Sequence, residues 1–171
     1  MSVISAQEIA NFKLLAGLTD EERLSFSDCL MEKLIPKGGV IFHEGDDGGA
    51  LYFLISGEVE ISQAFTLPMS SSGNYDSREK SIVRLSGEAC PVFGEVSIFS
   101  NQNKRTATVK ALTNCRLGLL AEKDFFQILV NKHEIGYKVM LNLTRIVCGR
   151  LTTANKNVLK LTTALSLILE K

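Results

Sequence analysis

Net charge is the first thing this chain does without. Its 19 lysines and arginines are matched by 19 aspartates and glutamates, so no general basic field exists to hold nucleic acid or an anionic membrane. Any anion it binds must be held by a local site. Long apolar runs are also missing: VLKLTTALSLIL, the most extended nearly apolar stretch, is about half of the ~20 residues a bilayer requires. The opening MSVISAQEIANFKLL has neither the basic start nor the long apolar core of a signal peptide. Cysteines at 29, 90, 115 and 148 form no CxxC pair, which fits reduced thiols packed as small hydrophobes in a cytoplasmic protein. The only two histidines, His43 and His133, have no companions at ligand spacing, which argues against a metal site. Neither a Walker loop nor a nucleophile–base grouping is present. The expectation is a protein that is not an enzyme.

What is present has the balance of an ordinary globular chain: 171 residues, 45% hydrophobic and 22% charged, enough for one domain or one domain with an appendage. GLTDEERLSFSDCLMEKL places Thr19 as N-cap and Glu22 three residues later, a capping box ahead of an apolar-periodic run. Leu24, Leu30 and Leu34 form the expected core-facing stripe, and Pro36 with Gly38 and Gly39 ends the helix. From Val40 the period changes to two. VIFHEGDDGGALYFLISGEVEISQAF alternates β-branched and aromatic runs with glycines, the pattern of short strands and tight turns in a small β-sandwich or barrel. Val59 and Ile61 alternate with Glu58, Glu60 and Ser62, so that strand buries one face. TLPMSSSGNYDSRE, residues 66–79, reads as a long hairpin loop. Strands resume at KSIVRL, RTATVKAL and CRLGLL, and helix follows through EKDFFQILVNK.

From about Glu134 the chain reads as helical to its end. Met140, Thr144, Val147, Leu151, Ala154, Val158, Leu161, Leu165 and Ile168 fall at alternating spacings of four and three. Sustained over four heptads, this predicts a coiled-coil seam, and packing of the helix on its own domain is the alternative.

FGEVSIFSNQNKRTATV, from Phe93 to Val109, carries the chemistry. A glycine and a glutamate precede an arginine by about ten positions, with small and apolar residues between. Alone, FGEVSIF fits a helical turn with a capping glycine, and Arg105 fits a sheet-surface charge. Preceded by KGGVIFHEGDDGGALYFLISGEVEI, the segment resembles the cyclic nucleotide-binding domain over about Phe12 to Asn155. Gly38, Gly45 and Gly57 match the family's β-roll turns, and FGE with RTA matches its phosphate-binding cassette.

The resemblance implies an α+β fold: an antiparallel, jelly-roll-like β-roll with N-terminal helices, a short phosphate-binding helix and a long C-terminal dimerisation helix. It implies a helix beginning at Gly94 whose backbone N–H groups face a cyclic phosphate. Glu95 would accept from the ribose 2′-hydroxyl, and Arg105 would pair with the phosphate. Ser97 is a small residue that leaves the phosphate room. Phe93, Val96 and Ala107 complete the ligand contacts, and Thr106, a hydroxyl directly after the arginine, bears on the base. GRL at Gly149–Leu151 resembles the start of the base-contacting turn, which would bring Ala154 and Asn155 near a purine.

The expected whole is a β-roll over 1–133 and a lid and dimerisation helix over 134–171. It would be a cytoplasmic sensor of cyclic AMP or cyclic GMP, with no other cofactor and no metal. It would form a homodimer, lack an output domain of its own, and signal through helix movement to an unidentified partner protein. Autonomous DNA binding and membrane association are not expected. The alternatives are a nucleotide-independent interaction module of the same fold, a truncated transcription factor, and a metal-dependent β-roll enzyme of the cupin kind.

Overall fold

The structure, a computed structural model, describes residues 4–68 and 75–169. In chain order its elements are α1 (Asp20–Ser27), β1 (Met31–Ile35), β2 (Val40–Phe42), β3 (Ala50–Ser56), β4 (Glu58–Pro68), β5 (Tyr75–Ser86), β6 (Val92–Phe93), α2 (Glu95–Phe99), β7 (Thr108–Ala111), β8 (Cys115–Ala121), α3 (Glu122–Asn131) and α4 (His133–Leu169). Single 3-10 turns lie at Lys13–Leu15 and Gly87–Ala89. The strands make two antiparallel sheets, ordered β1-β8-β3-β6 and β2-β7-β4-β5. The α+β fold with its β-roll and long C-terminal helix is as expected.

Strand β3 explains how the layers stack. Successive side chains of a strand point to opposite faces, and here both faces are buried. Tyr52 and Leu54 enter a cluster between the sheets with Val59, Phe93, Val109 and Leu117. Leu51 and Phe53 enter a second cluster with Phe12, Leu15, Phe125, Ile135, Val139 and Leu143 from the helical segments. The first turns of α4 therefore belong to the core. Asn142 fixes them there by donating through Nδ2 to Leu14 O and Ala16 O, at 3.2 and 2.8 Å.

The capping box at Thr19 and Glu22 is present, but the helix it opens is shorter than expected. It ends at Ser27, and Met31–Ile35 pairs with Leu119–Cys115 of β8. Leu24 and Leu34 are 48% and 70% exposed, so the expected stripe is not a core face. Phe26 and Ser27 supply α1's buried side chains. Strand pairing outweighs the helical period of the sequence.

The hairpin is also longer and its loop shorter than expected. β4 and β5 pair as far as Pro68 with Tyr75, so residues 66–68 and 75–79 are strand, and the rest of that expected loop lies outside the described residues. RTATVKAL becomes strand only at Thr108. Before it, the Arg105 backbone is committed to the loop of residues 45–48, donating from N to Asp46 O at 2.9 Å and accepting at O from Gly45 N at 2.8 Å. The approach to α2 runs through the 3-10 turn, Cys90 in the left-handed region at φ 45° and Pro91.

Candidate functional site

Strand β6 delivers the chain to Gly94, whose φ of +86° lets it turn into the five-residue α2. Space there is as restrictive as conformation. A Cβ at 94 would stand 2.7 Å from Arg105 Nη1 and 3.0 Å from Ala50 O. Only glycine meets both demands.

Glu95 and Arg105 are each 5% exposed. Arg105 Nη1 donates to Ala50 O at 3.0 Å, to Gly94 O at 3.1 Å and to Ser97 Oγ at 2.8 Å. Its guanidinium carbon lies 4.3 Å from the Phe42 ring centroid and 5.4 Å from that of Tyr52, within cation–π range. Burial holds the guanidinium below the ordinary arginine value. The neighbours of Nη1 are neutral carbonyl and hydroxyl dipoles, while Asp46 and Glu95 act on the guanidinium through their charge.

Two buried atoms at this site have no hydrogen-bond partner among the described residues: Arg105 Nε and Glu95 Oε2. An unmet buried polar group costs about 1–3 kcal/mol, more when charged. Such groups call for an explanation: the carboxylate oxygen can accept and the guanidinium N–H can donate, so both suit a polar ligand.

Around them lies a cavity of about 110 Å³. The expected residues Phe93, Gly94, Glu95, Val96, Ser97, Arg105, Thr106 and Ala107 all line it, so the fold brings them together from β6, α2 and the loop before β7. Phe42, Ile61 and Val109 add apolar wall, and Arg150 reaches in from α4. Ala154 and Asn155 do not line the cavity and are exposed. Ala154 stands four residues beyond Arg150, hence on the same helix face.

Arg150 is the residue that sequence reasoning missed. Its Nη1 donates to Glu95 Oε1 and its Nη2 to Val92 O, both at 2.5 Å. This pins α4 to the cavity wall just before the stretch from Leu151 to Leu169, where every residue is exposed. The available signal was the GRL match at Gly149–Leu151, which contains it. The pair's Arg150 side chain is 40% exposed, which puts its contribution in the surface range of about 1 kcal/mol or less. Replacing Arg150 with Ala should therefore speed amide exchange in α4 near residue 150 by up to about fivefold. Amides of β3 and β8 should be unaffected. Unchanged exchange along α4 would show that Arg150 does not tether the helix.

The cyclic nucleotide-binding domain model matches residues 32–132. The cAMP-dependent protein kinase regulatory subunit of Debaryomyces hansenii is 29% identical over 71% of this chain and 23% of its own length. The cAMP-activated global transcriptional regulator CRP of Haemophilus influenzae is 29% identical over 74% of this chain and 50% of its own. This chain thus spans half or less of these curated relatives. Among solved structures, the catabolite activator protein of Thermus thermophilus superposes with a TM-score of 0.69 at 26% identity, covering 88% of this chain and 63% of that one. A cyclic nucleotide-binding domain from Methylobacillus flagellatus superposes at 0.73 and 21% identity, covering 90% and 80%, a likeness of fold.

Proposed function

This chain belongs to the cyclic nucleotide-binding domain family, and from that premise we propose that it is a cyclic nucleotide sensor whose ligand lies between Glu95 and Arg105. One observation carries the proposal. Two oppositely charged side chains, both buried, face one cavity, and each keeps a polar atom without a partner among the described residues. A ribose cyclic phosphate has what both lack: a hydroxyl to donate to the carboxylate, and phosphate oxygens to accept from the guanidinium. Cyclic AMP and cyclic GMP share that half, and relatives named for cyclic AMP support the ligand class. The base extends past Arg150 along the α4 face bearing Ala154 and Asn155, with Thr106 at the rim. The β-roll, with the first turns of α4 in its core, is then the receptor, and the exposed remainder of α4 its lid and dimer contact, with the signal passing along α4 to a partner protein. The four cysteines are free, which fits a cytoplasmic setting. Regulatory relatives fit a protein that binds its ligand without transforming it.

Isothermal titration with cyclic AMP and cyclic GMP tests the proposal, with saturable binding of either as the expected result. A second reading, a nucleotide-independent interaction module, is favoured by the size of the cavity. About 110 Å³ is below the ~300 Å³ at which pockets for whole small-molecule ligands begin, and Arg150 already occupies one oxygen of Glu95. Binding of neither nucleotide at millimolar concentration would select that reading.

Glu95→Ala gives a sharper result. Losing a hydrogen bond to a charged acceptor costs about 1.5–3 kcal/mol, so affinity should fall roughly tenfold to a hundredfold. Discrimination against 2′-deoxy cyclic nucleotides should vanish with it. A variant that rejects the deoxy analogue as well as the parent does would remove Glu95 from the ribose.

A further inference from the structure

Ser97 sits on α2, 2% exposed, with both of its hydrogen-bonding capacities in use. Its hydroxyl donates to Gly94 O at 2.9 Å and accepts from Arg105 Nη1 at 2.8 Å. The latter is the shortest of the three contacts that Nη1 makes and the only one from a side chain. The Arg105 backbone is held from elsewhere, by Gly45 and Asp46, while Gly48 N donates to Asn103 O at 2.7 Å. One loop therefore fixes the main chain of Arg105, and α2 fixes its guanidinium.

Gly48 is where these two supports meet. A Cβ built there would lie 2.3 Å from Ser97 Cβ, 2.5 Å from Ser97 Oγ and 3.0 Å from Asn103 Oδ1. Its φ lies outside the left-handed region, so space alone excludes a side chain. Ser97 Cβ is one bond from the helix backbone and cannot swing aside as the end of a long side chain would. Accommodating a methyl at 48 must move either α2 or the loop that carries Arg105.

We infer that Gly48 and Ser97 form one positioning unit for the anion contact: the Ser97 hydroxyl aims the Arg105 guanidinium, and the bare Gly48 leaves the room that Ser97 needs. Ser97 is then an orienting residue as well as a small one. The inference rests on the reading of Arg105 as the phosphate-binding group.

Four variants test it: Ser97→Ala, Ser97→Gly, Gly48→Ala, and the last two combined. Each is titrated with cyclic AMP and with the two phosphorothioate diastereomers, in which sulfur replaces one or the other exocyclic oxygen. Ser97→Ala should bind cyclic AMP about tenfold more weakly and change the ratio of the two diastereomer affinities, because the guanidinium loses its fixed aim. A loss shared equally by the diastereomers overturns the aiming role, since general loosening would lower both alike. Gly48→Ala should lose at least as much affinity as Ser97→Ala. In the Ser97→Gly background, where Cβ and Oγ are gone, the same methyl should cost less than about twofold. An equal cost in both backgrounds overturns the unit. If Gly48→Ala fails to fold by thermal melting, the Ser97→Ala diastereomer ratio decides alone. Failure of the unaltered protein to bind any cyclic nucleotide overturns the sensor reading and this inference with it. Binding by the parent, matched by Ser97→Ala with an unchanged ratio, overturns the positioning unit only.

Discussion

An Arg105→Ala protein should fold and bind cyclic nucleotide about two to three and a half decades more weakly than the parent. The loss follows from where the charge sits. Arg105 is buried against Phe42 and Tyr52, and its hydrogen bonds go to neutral acceptors. A cyclic phosphate entering the cavity would meet a cation already stripped of water, so the pair forms with little further desolvation of the protein side. Removing one partner of a buried charged pair costs about 3–5 kcal/mol, which converts to that range of affinity. Folding should suffer far less. Burial disfavours the charged guanidinium, so deleting it offsets part of the lost contacts. Arg105→Lys separates charge from geometry: the ammonium restores charge without the planar fork that bonds to several acceptors at once, so its affinity should fall between the two. Titration calorimetry with a parallel melting curve reads both effects. Binding by Arg105→Ala within about threefold of the parent would mean that the anion is held elsewhere.

What could be read from the sequence divides along the reach of each signal. Gly94, Glu95 and Arg105 were legible through FGE and RTA taken together with the glycine pattern that precedes them. Alone, the first fits a helical turn and the arginine a sheet-surface charge, so the resemblance rather than any local demand singled them out. The alternation of Val59 with Glu58 and Glu60 in β4 was equally legible, since period two needs no knowledge of what covers the strand. The stretch after Ser27 was not. Leu30 and Leu34 stand at a helical spacing of four, and only the register of Met31–Ile35 against β8, some eighty residues on, decides for strand. Arg150 was missed for a related reason: its partner Glu95 lies 55 residues earlier, and the GRL match that contains it pointed ahead to Ala154 and Asn155 rather than to the arginine itself. Gly48 could be read as a turn glycine, but its abutment on Ser97 exists only in three dimensions.

The C-terminal helix leads to the last expectation, that one charge placed in its seam splits a dimer. α4 runs 37 residues, about 55 Å at 1.5 Å per residue. Only its first turns are built into the core, and beyond Arg150 every described residue of it is exposed. The alternative that it folds back on its own domain does not hold for this half. Val147, Leu151, Val158, Leu161, Leu165 and Ile168 are all exposed, an apolar row too continuous to leave in water. The threonines do not interrupt it as polar groups. Thr144, Thr152, Thr153, Thr162 and Thr163 each turn their hydroxyl back to the carbonyl four residues earlier, presenting satisfied oxygens beside their methyls. A second copy related by a two-fold axis would cover the row with the same row. Leu161, 71% exposed in the single chain, would then meet Leu161 of its mate. Leu161→Glu sets two carboxylates against each other with nothing to neutralise them. That burial is costly enough to outweigh the roughly 1.5–3 kcal/mol that each leucine contributes. The variant should run as a monomer in light scattering at micromolar concentration while still binding nucleotide through Glu95 and Arg105. Any weakening would measure how far the partner helix helps to close the site over the base. A parent protein that is already monomeric, with and without ligand, would sink the dimer and leave the exposed row to a different chain.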